Sequence, residues 1–342
     1  MLVRKRVKLS YLSSQKLSHG GSWLSTIVSV LILLSVGWLG FNYQYVVDQV
    51  AVWSYHSDPQ LDRIINDTKL TTRGEFYLKA SNAQIANADT FSKQCKKTEN
   101  HSAILGCYVN NRIYVYDITD ERLDGIKEVT TVHEMLHAAW DRLGSQRQQE
   151  LTKLLEAEYQ KLKTAELEER MAYYYRNEPT EIANELHSIL PTEISELSPE
   201  LESYYSGYTD DRAGIVSLYD KYSAVFDSIQ DEADTLSAQA SALASSIDTN
   251  TKSYNADMAS LNSEIQNFNS RASSGYFSTP SHFNTARAGL VSRTDSLESR
   301  RKALQADIDK YNSMVQRLNE LSTKSNELQS SIDSTLAAPP SL

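Results

Sequence analysis

His133-Glu134-Met135-Leu136-His137 sets two imidazoles four residues apart, with a carboxylate between them. On an α-helix that spacing puts both rings on one face, so both can ligate one metal ion while Glu134 stands beside a water at an open coordination position. The chemistry of such a set is hydrolysis. A zinc ion polarises a carbonyl and acidifies water, and the glutamate takes the water's proton and later passes it to the leaving amine. Histidine is scarce in the chain, seven in 342 residues, so the pair is not a by-product of a His-rich tract.

A catalytic zinc needs a third protein ligand. Downstream, Asn177-Glu-Pro-Thr-Glu-Ile-Ala-Asn-Glu-Leu-His187 offers Glu181 and Glu185, one turn apart on a helix expected to begin near Pro179. One carboxylate would bind the metal and the other would steady a ligating imidazole, and the spacing itself admits either order. Ile182 and Leu186 would bury an adjoining face. Tyr174 precedes Glu181 by seven residues, two turns if one helix spans both, and its phenol would donate to a developing oxyanion. Tyr173 and Tyr175 flank it, and spacing does not say which of the three points inward.

The order HEMLH, then Tyr174, then Glu181 with Glu185 four residues on resembles the zincin metallopeptidases whose third ligand is glutamate, a group that includes the anthrax lethal factor catalytic domain and the bacterial Pro-Pro endopeptidases. The resemblance covers residues 130–193. It implies Zn2+ held by His133, His137 and Glu181, with Glu185 as a supporting acid, Glu134 as general base and Tyr174 as transition-state donor. It also implies a protein or peptide substrate laid along an edge strand, for which 112–118 is the candidate. Pro179 and Thr180 make the interval before the ligand one residue longer than in that family.

Several elements must position these groups. Val129, Val132, Leu136, Ala139 and Leu143 recur at threes and fours before Gly144, which predicts the helix that carries the histidines. Segments 74–80 and 112–118 alternate polar with β-branched or aromatic residues and read as strands. After about Ala213 the chain turns rich in Ser, Ala and Gln. Phe226, Ala233, Ala240, Ile247, Tyr254, Leu261 and Phe268 lie seven apart, and after a break at 271–284 the step resumes at Leu290, Leu297, Leu304, Tyr311, Leu318 and Ile332. The pattern predicts an antiparallel coiled-coil hairpin over 213–336, with a parallel dimer of continuous coils as the competing arrangement. Either offers a surface for a partner or for self-association.

The fold class expected is α+β and mostly helical. Its parts are a basic segment 1–22, a transmembrane helix 23–41, a zincin-like domain 44–210 and the hairpin. Residues 23–41 are uncharged and apolar, and their helical length of about 28 Å matches a bilayer core of roughly 30 Å. Basic residues precede them, so a single pass would leave the N-terminus cytoplasmic and the ectodomain outside, at the cell membrane. A cleaved signal peptide is the alternative. Outside, Cys95 and Cys107 can pair; otherwise they are two buried thiols. The net charge is −10 although every formal charge before Asp48 is basic, which argues against nucleic acid as a partner. The function expected is a membrane-anchored, extracytoplasmic zinc endopeptidase. Its competitor is a cell-surface coiled-coil interaction protein with a structural or inactive zinc site.

Overall fold

The computed structural model describes residues 22–56, 58–95 and 103–334. The basic segment before Ser22 and the tail 337–342 lie outside them. Among the described residues the chain is mostly helical, with one small sheet. Its contacts divide it after Tyr55 into an N-terminal unit and a second unit that runs from His56 onward, so the hairpin and the mixed α/β region share one unit.

In the N-terminal unit, α1 (Ser22–Phe41) and α2 (Tyr43–Ser54) meet at Asn42. No single helix among the described residues is long and apolar enough to cross a membrane. Ser25–Phe41 and Tyr43–Ser54 reach that length and apolarity only together, bent by 80°. This corrects the expectation of one straight span over 23–41. Val30 to Leu34 and Trp38 remain exposed.

The second unit is built around α6 (Ile126–Asp141), the helix predicted from the apolar periodicity. Val129, Val132, Met135, Leu136, Ala138 and Ala139 are all buried, so this helix has core on most of its circumference. Gly125 begins it at φ 98°, which a side chain rarely adopts. It also leaves room for Leu218, whose side chain would lie 2.9 Å from an added Cβ.

Ahead of α6 come α3 (Pro59–Asp67), α4 (Thr72–Ala80), β1 (Gln84–Ala86), α5 (Ala88–Gln94), β2 (Gly106–Val109) and β3 (Arg112–Tyr116). The expected strand at 74–80 is instead the body of α4. Thr71 caps it by accepting the Gly74 N–H, and Glu75 pairs with Lys79 one turn on, so helical end signals outweigh the alternation. The expected strand at 112–118 does form as β3, but it lies at the centre of the sheet. It pairs parallel with β1 and antiparallel with β2, in the order β1-β3-β2. The candidate edge at 112–118 is therefore wrong, and the edge strand next to α6 is β2. A Cys95–Cys107 disulfide ties β2 to the end of α5.

Following α6 are α7 (Ser145–Leu162), α8 (Ala165–Asn177), α9 (Ile182–Glu193) and α10 (Pro199–Tyr205), with α9 packed on both α6 and α7. Then α11 (Arg212–Ser273) and α12 (Pro280–Ile332) pack along each other. The ion pairs Arg317–Glu232, Arg300–Asp257 and Arg293–Glu264 step in opposite directions along the two helices, which makes the pair antiparallel. Of the predicted seam, Ala240, Leu261, Leu297 and Ile332 are buried. Met314, Leu321 and Leu328 form the companion row, three residues after Tyr311, Leu318 and Ser325.

The base of the hairpin belongs to the core. Arg212 is buried, and its guanidinium donates to the carbonyls of Ile194 at 2.5 Å and Ser195 at 2.6 Å and pairs with Glu202. It thereby satisfies carbonyls beyond the C-terminus of α9 that no helix bond reaches. Ile215 and Val216 follow, 1% and 3% exposed. The far end of α12 returns to the same unit, where Glu327 lies 3.5 Å from Arg122.

Candidate metal centre

His133 and His137 lie on one face of α6 with their Nε2 atoms 3.1 Å apart and their ring centroids at 4.8 Å. Glu185, in the first turn of α9, joins them: Oε1 is 3.8 Å from His137 Nε2, and the three ligand atoms lie within 4.8 Å of one another. Donors about 2.0–2.1 Å from a tetrahedral metal sit roughly 3.3 Å apart, so the 3.1 and 3.8 Å separations match one small divalent ion, and the widest, within 4.8 Å, has to close on binding. Two imidazoles and a carboxylate are a donor set suited to zinc, and other divalent metals accept it too.

The resemblance assigned the ligand role to Glu181 and the supporting role to Glu185, whereas the structure brings Glu185 into the group. Helix α9 starts at Ile182, later than expected, and Glu181 is its N-cap residue, outside the helix. From there Glu181 accepts the Asn184 Nδ2–H at 3.1 Å and a Thr180 hydroxyl at 3.3 Å. Asn184 in turn places Oδ1 2.9 Å from His137 Nδ1. The carbonyl of Asn184 can only accept, so the His137 proton sits on Nδ1 and the Nε2 lone pair faces the group. Asn184 was missed in the sequence, although it stands between the two glutamates. It becomes visible only once α9 is known to begin at Ile182.

Glu134 is 6% exposed. Burial pushes its carboxyl up to about 7, and Glu185 pushes the same way, against His137 and a backbone N–H from Tyr108. Burial holds His133 well below the ordinary imidazole range, with His137 adding to the effect, so it is the neutral form a metal requires. At His137 burial also opposes charge, but Glu185 and Glu134 outweigh it and raise the pKa.

Strand β2 lies against Glu134. A Cβ on Gly106 would fall 2.6 Å from Thr130 Cγ2 and 2.7 Å from both Cγ and Oε1 of Glu134, closer than side chains tolerate. Only glycine lets the strand approach the carboxylate this way. Gly106→Ala is expected to displace Glu134 and to lower any hydrolytic rate at least tenfold while leaving metal content unchanged. Parallel metal analysis and kinetics on the purified variant check this.

Tyr174 lies near the end of α8, half-buried, its ring edge-on to Tyr173 at 5.4 Å. Helices α8 and α9 are separate, broken at Glu178–Glu181, so no continuous two-turn relation joins Tyr174 to Glu181. Tyr175 is 48% exposed and lines a surface pocket with Tyr159 and Lys163. His187, fully buried, packs on Trp140 at 5.2 Å and meets the Tyr204 hydroxyl at 2.8 Å. Burial lowers its pKa to about 3, which makes it a neutral core imidazole that docks α9 on α6.

No family model, curated protein or solved structure matches this chain.

Proposed function

We propose that the chain is a zinc-dependent endopeptidase, tethered to a membrane by its N-terminal segment and acting outside the cytoplasm. The observation that carries this reading is the convergence of His133, His137 and Glu185 with a buried carboxylate, Glu134, one residue along the same helix. A purely structural metal would need no such acid beside it. The disulfide supports an oxidising compartment.

In this reading His133, His137 and Glu185 hold the metal, which when bound supplies Lewis acidity toward a carbonyl and a nearby water. Glu134 accepts the proton of the attacking water at a carboxylate oxygen and returns it to the amide nitrogen as the peptide bond breaks. Its burial suits both halves of that transfer, because a carboxyl near neutral pKa gives a proton back as readily as it takes one. Asn184 fixes the His137 tautomer, and Glu181 holds Asn184 in that orientation. With Glu185 as the ligand the seven-residue relation that pointed to Tyr174 is lost, so this reading assigns no oxyanion donor.

The test is metal analysis of the purified ectodomain combined with cleavage of a peptide library. Zinc near one equivalent and metal-dependent hydrolysis are expected. Glu134→Gln should keep the metal and lower turnover by about 10² to 10⁴-fold, the range for removal of a general base. Stoichiometric metal with no hydrolysis of any peptide by the wild-type chain would refute the peptidase reading and favour a structural site.

A further inference from the structure

Two contacts that position Glu134 come from β2, and a cysteine stands between them. Gly106 lies so near that an added Cβ would fall 2.7 Å from the Glu134 Cγ and Oε1, and the Tyr108 N–H donates to the same carboxylate. Side chains alternate along a strand, so Cys107 points to the opposite face from Gly106 and Tyr108. There it lies across from Tyr114 of β3 and bonds to Cys95, which ends α5.

Little else anchors this strand. β2 is an edge strand, paired with β3 alone. On the α5 side it meets a small apolar cluster whose buried members are Ala86, Phe91, Cys95 and Tyr114. Opening the disulfide leaves β2 held by one ladder and by non-covalent contacts. The metal group is not tied to that bond, since His133 and His137 stand on α6 and Glu185 on α9, two helices packed directly on each other.

We propose that formation of the Cys95–Cys107 disulfide switches the site on by fixing β2 against Glu134, while the reduced chain holds its metal but hydrolyses slowly. The proposal rests on the peptidase reading and adds control by redox state to it. Cys95 and Cys107 thereby act as positioning residues. The step is an exchange with a disulfide supplied by the surroundings. Cys107 is partly exposed and Cys95 is only 6% exposed, so the Cys107 thiolate attacks first, forms a mixed disulfide and expels one thiolate. The Cys95 thiolate then attacks the Cys107 sulfur and expels the second. Two electrons pass to the incoming disulfide, and the two cysteine protons end on the released thiols.

The test compares the oxidised and reduced full chain in detergent micelles at micromolar zinc. Tris(2-carboxyethyl)phosphine opens the bond, and oxidised glutathione closes it once the phosphine is removed. Reduction is expected to speed hydrogen exchange of the Tyr108 amide about tenfold or more and to slow peptide turnover about tenfold. Zinc content should not change, and reoxidation should reverse both effects. The double variant Cys95→Ser, Cys107→Ser should match the reduced chain. In Glu134→Gln, reduction should change the residual turnover by less than about twofold, because the disulfide acts through that carboxylate. Unchanged Tyr108 exchange, loss of zinc on reduction, or an equal loss of turnover in Glu134→Gln would each overturn the proposal. Hydrolysis by the oxidised chain is scored separately. If it cleaves no peptide the peptidase reading falls, and Tyr108 exchange still decides whether the bond fixes β2 on Glu134. Hydrolysis that reduction leaves unchanged sinks the redox control alone.

Discussion

Glu185→Ala is expected to emerge from purification without stoichiometric metal and therefore without activity, whereas Glu181→Ala should bind metal more weakly but still bind it. Glu185 contributes one of three ligand atoms that lie within 4.8 Å of one another, and its loss leaves two imidazoles alone. Glu181 acts two bonds away, through Asn184, on the orientation of His137. Removing such an outer partner typically costs about 10 to 100-fold in metal affinity or activity. Asn184→Ala should resemble Glu181→Ala, since both break the same relay. Zinc content of the three variants after dialysis against micromolar zinc checks the order. Metal retained in Glu185→Ala and lost in Glu181→Ala would restore the assignment implied by the zincin resemblance.

What was legible in the sequence is what depends on local periodicity. The i,i+4 relation of His133 and His137 is a property of one helix, and α6 carries it as expected. The heptad rows also act between sequence neighbours and one partner arm, so the antiparallel pairing of α11 and α12 followed from composition and a turn. The third candidate ligand was harder, because its identity depends on where α9 begins. Pro179 reads as a helix start, yet Ile182 is the first helical residue, and that shift moves Glu181 off the helix and Glu185 onto the turn that meets His133 and His137. The edge strand was out of reach for another reason. Which strand lies outermost is set by pairing between β1, β2 and β3, and the alternation in 112–118 marks a strand without marking its place in the sheet. At 74–80 a cap residue, Thr71, just outside the alternating window decided for helix.

A chain ending after Ala213 is expected not to fold, although every residue of the candidate site precedes that point. The division read from the sequence, a zincin-like domain 44–210 and a separate hairpin over 213–336, implies the opposite. The first turns of α11 pack on α6 and α9, the two helices that bring the ligands together. Ile215 and Val216 are almost fully buried there, and burying an aliphatic side chain of that size is worth about 1.5–3 kcal/mol. The cut also removes Leu218, which fills the space over Gly125 at the start of α6, and Tyr219, which hydrogen-bonds Glu193, the partner of Arg170. Losses of this size approach the roughly 5–15 kcal/mol that holds an ordinary domain together. The expected outcome is an insoluble or molten fragment with no cooperative thermal transition. A different shortening should behave otherwise. Deleting 240–310 and closing the gap with a flexible turn keeps the base of α11, the return of α12 and the Arg317–Glu232 pair between them. That chain should melt cooperatively and bind metal at unchanged stoichiometry. If both shortened chains fold, the base of α11 contributes nothing essential to the core. If neither does, the outer arms stabilise the unit in a way their exposed, serine-rich surfaces give no sign of.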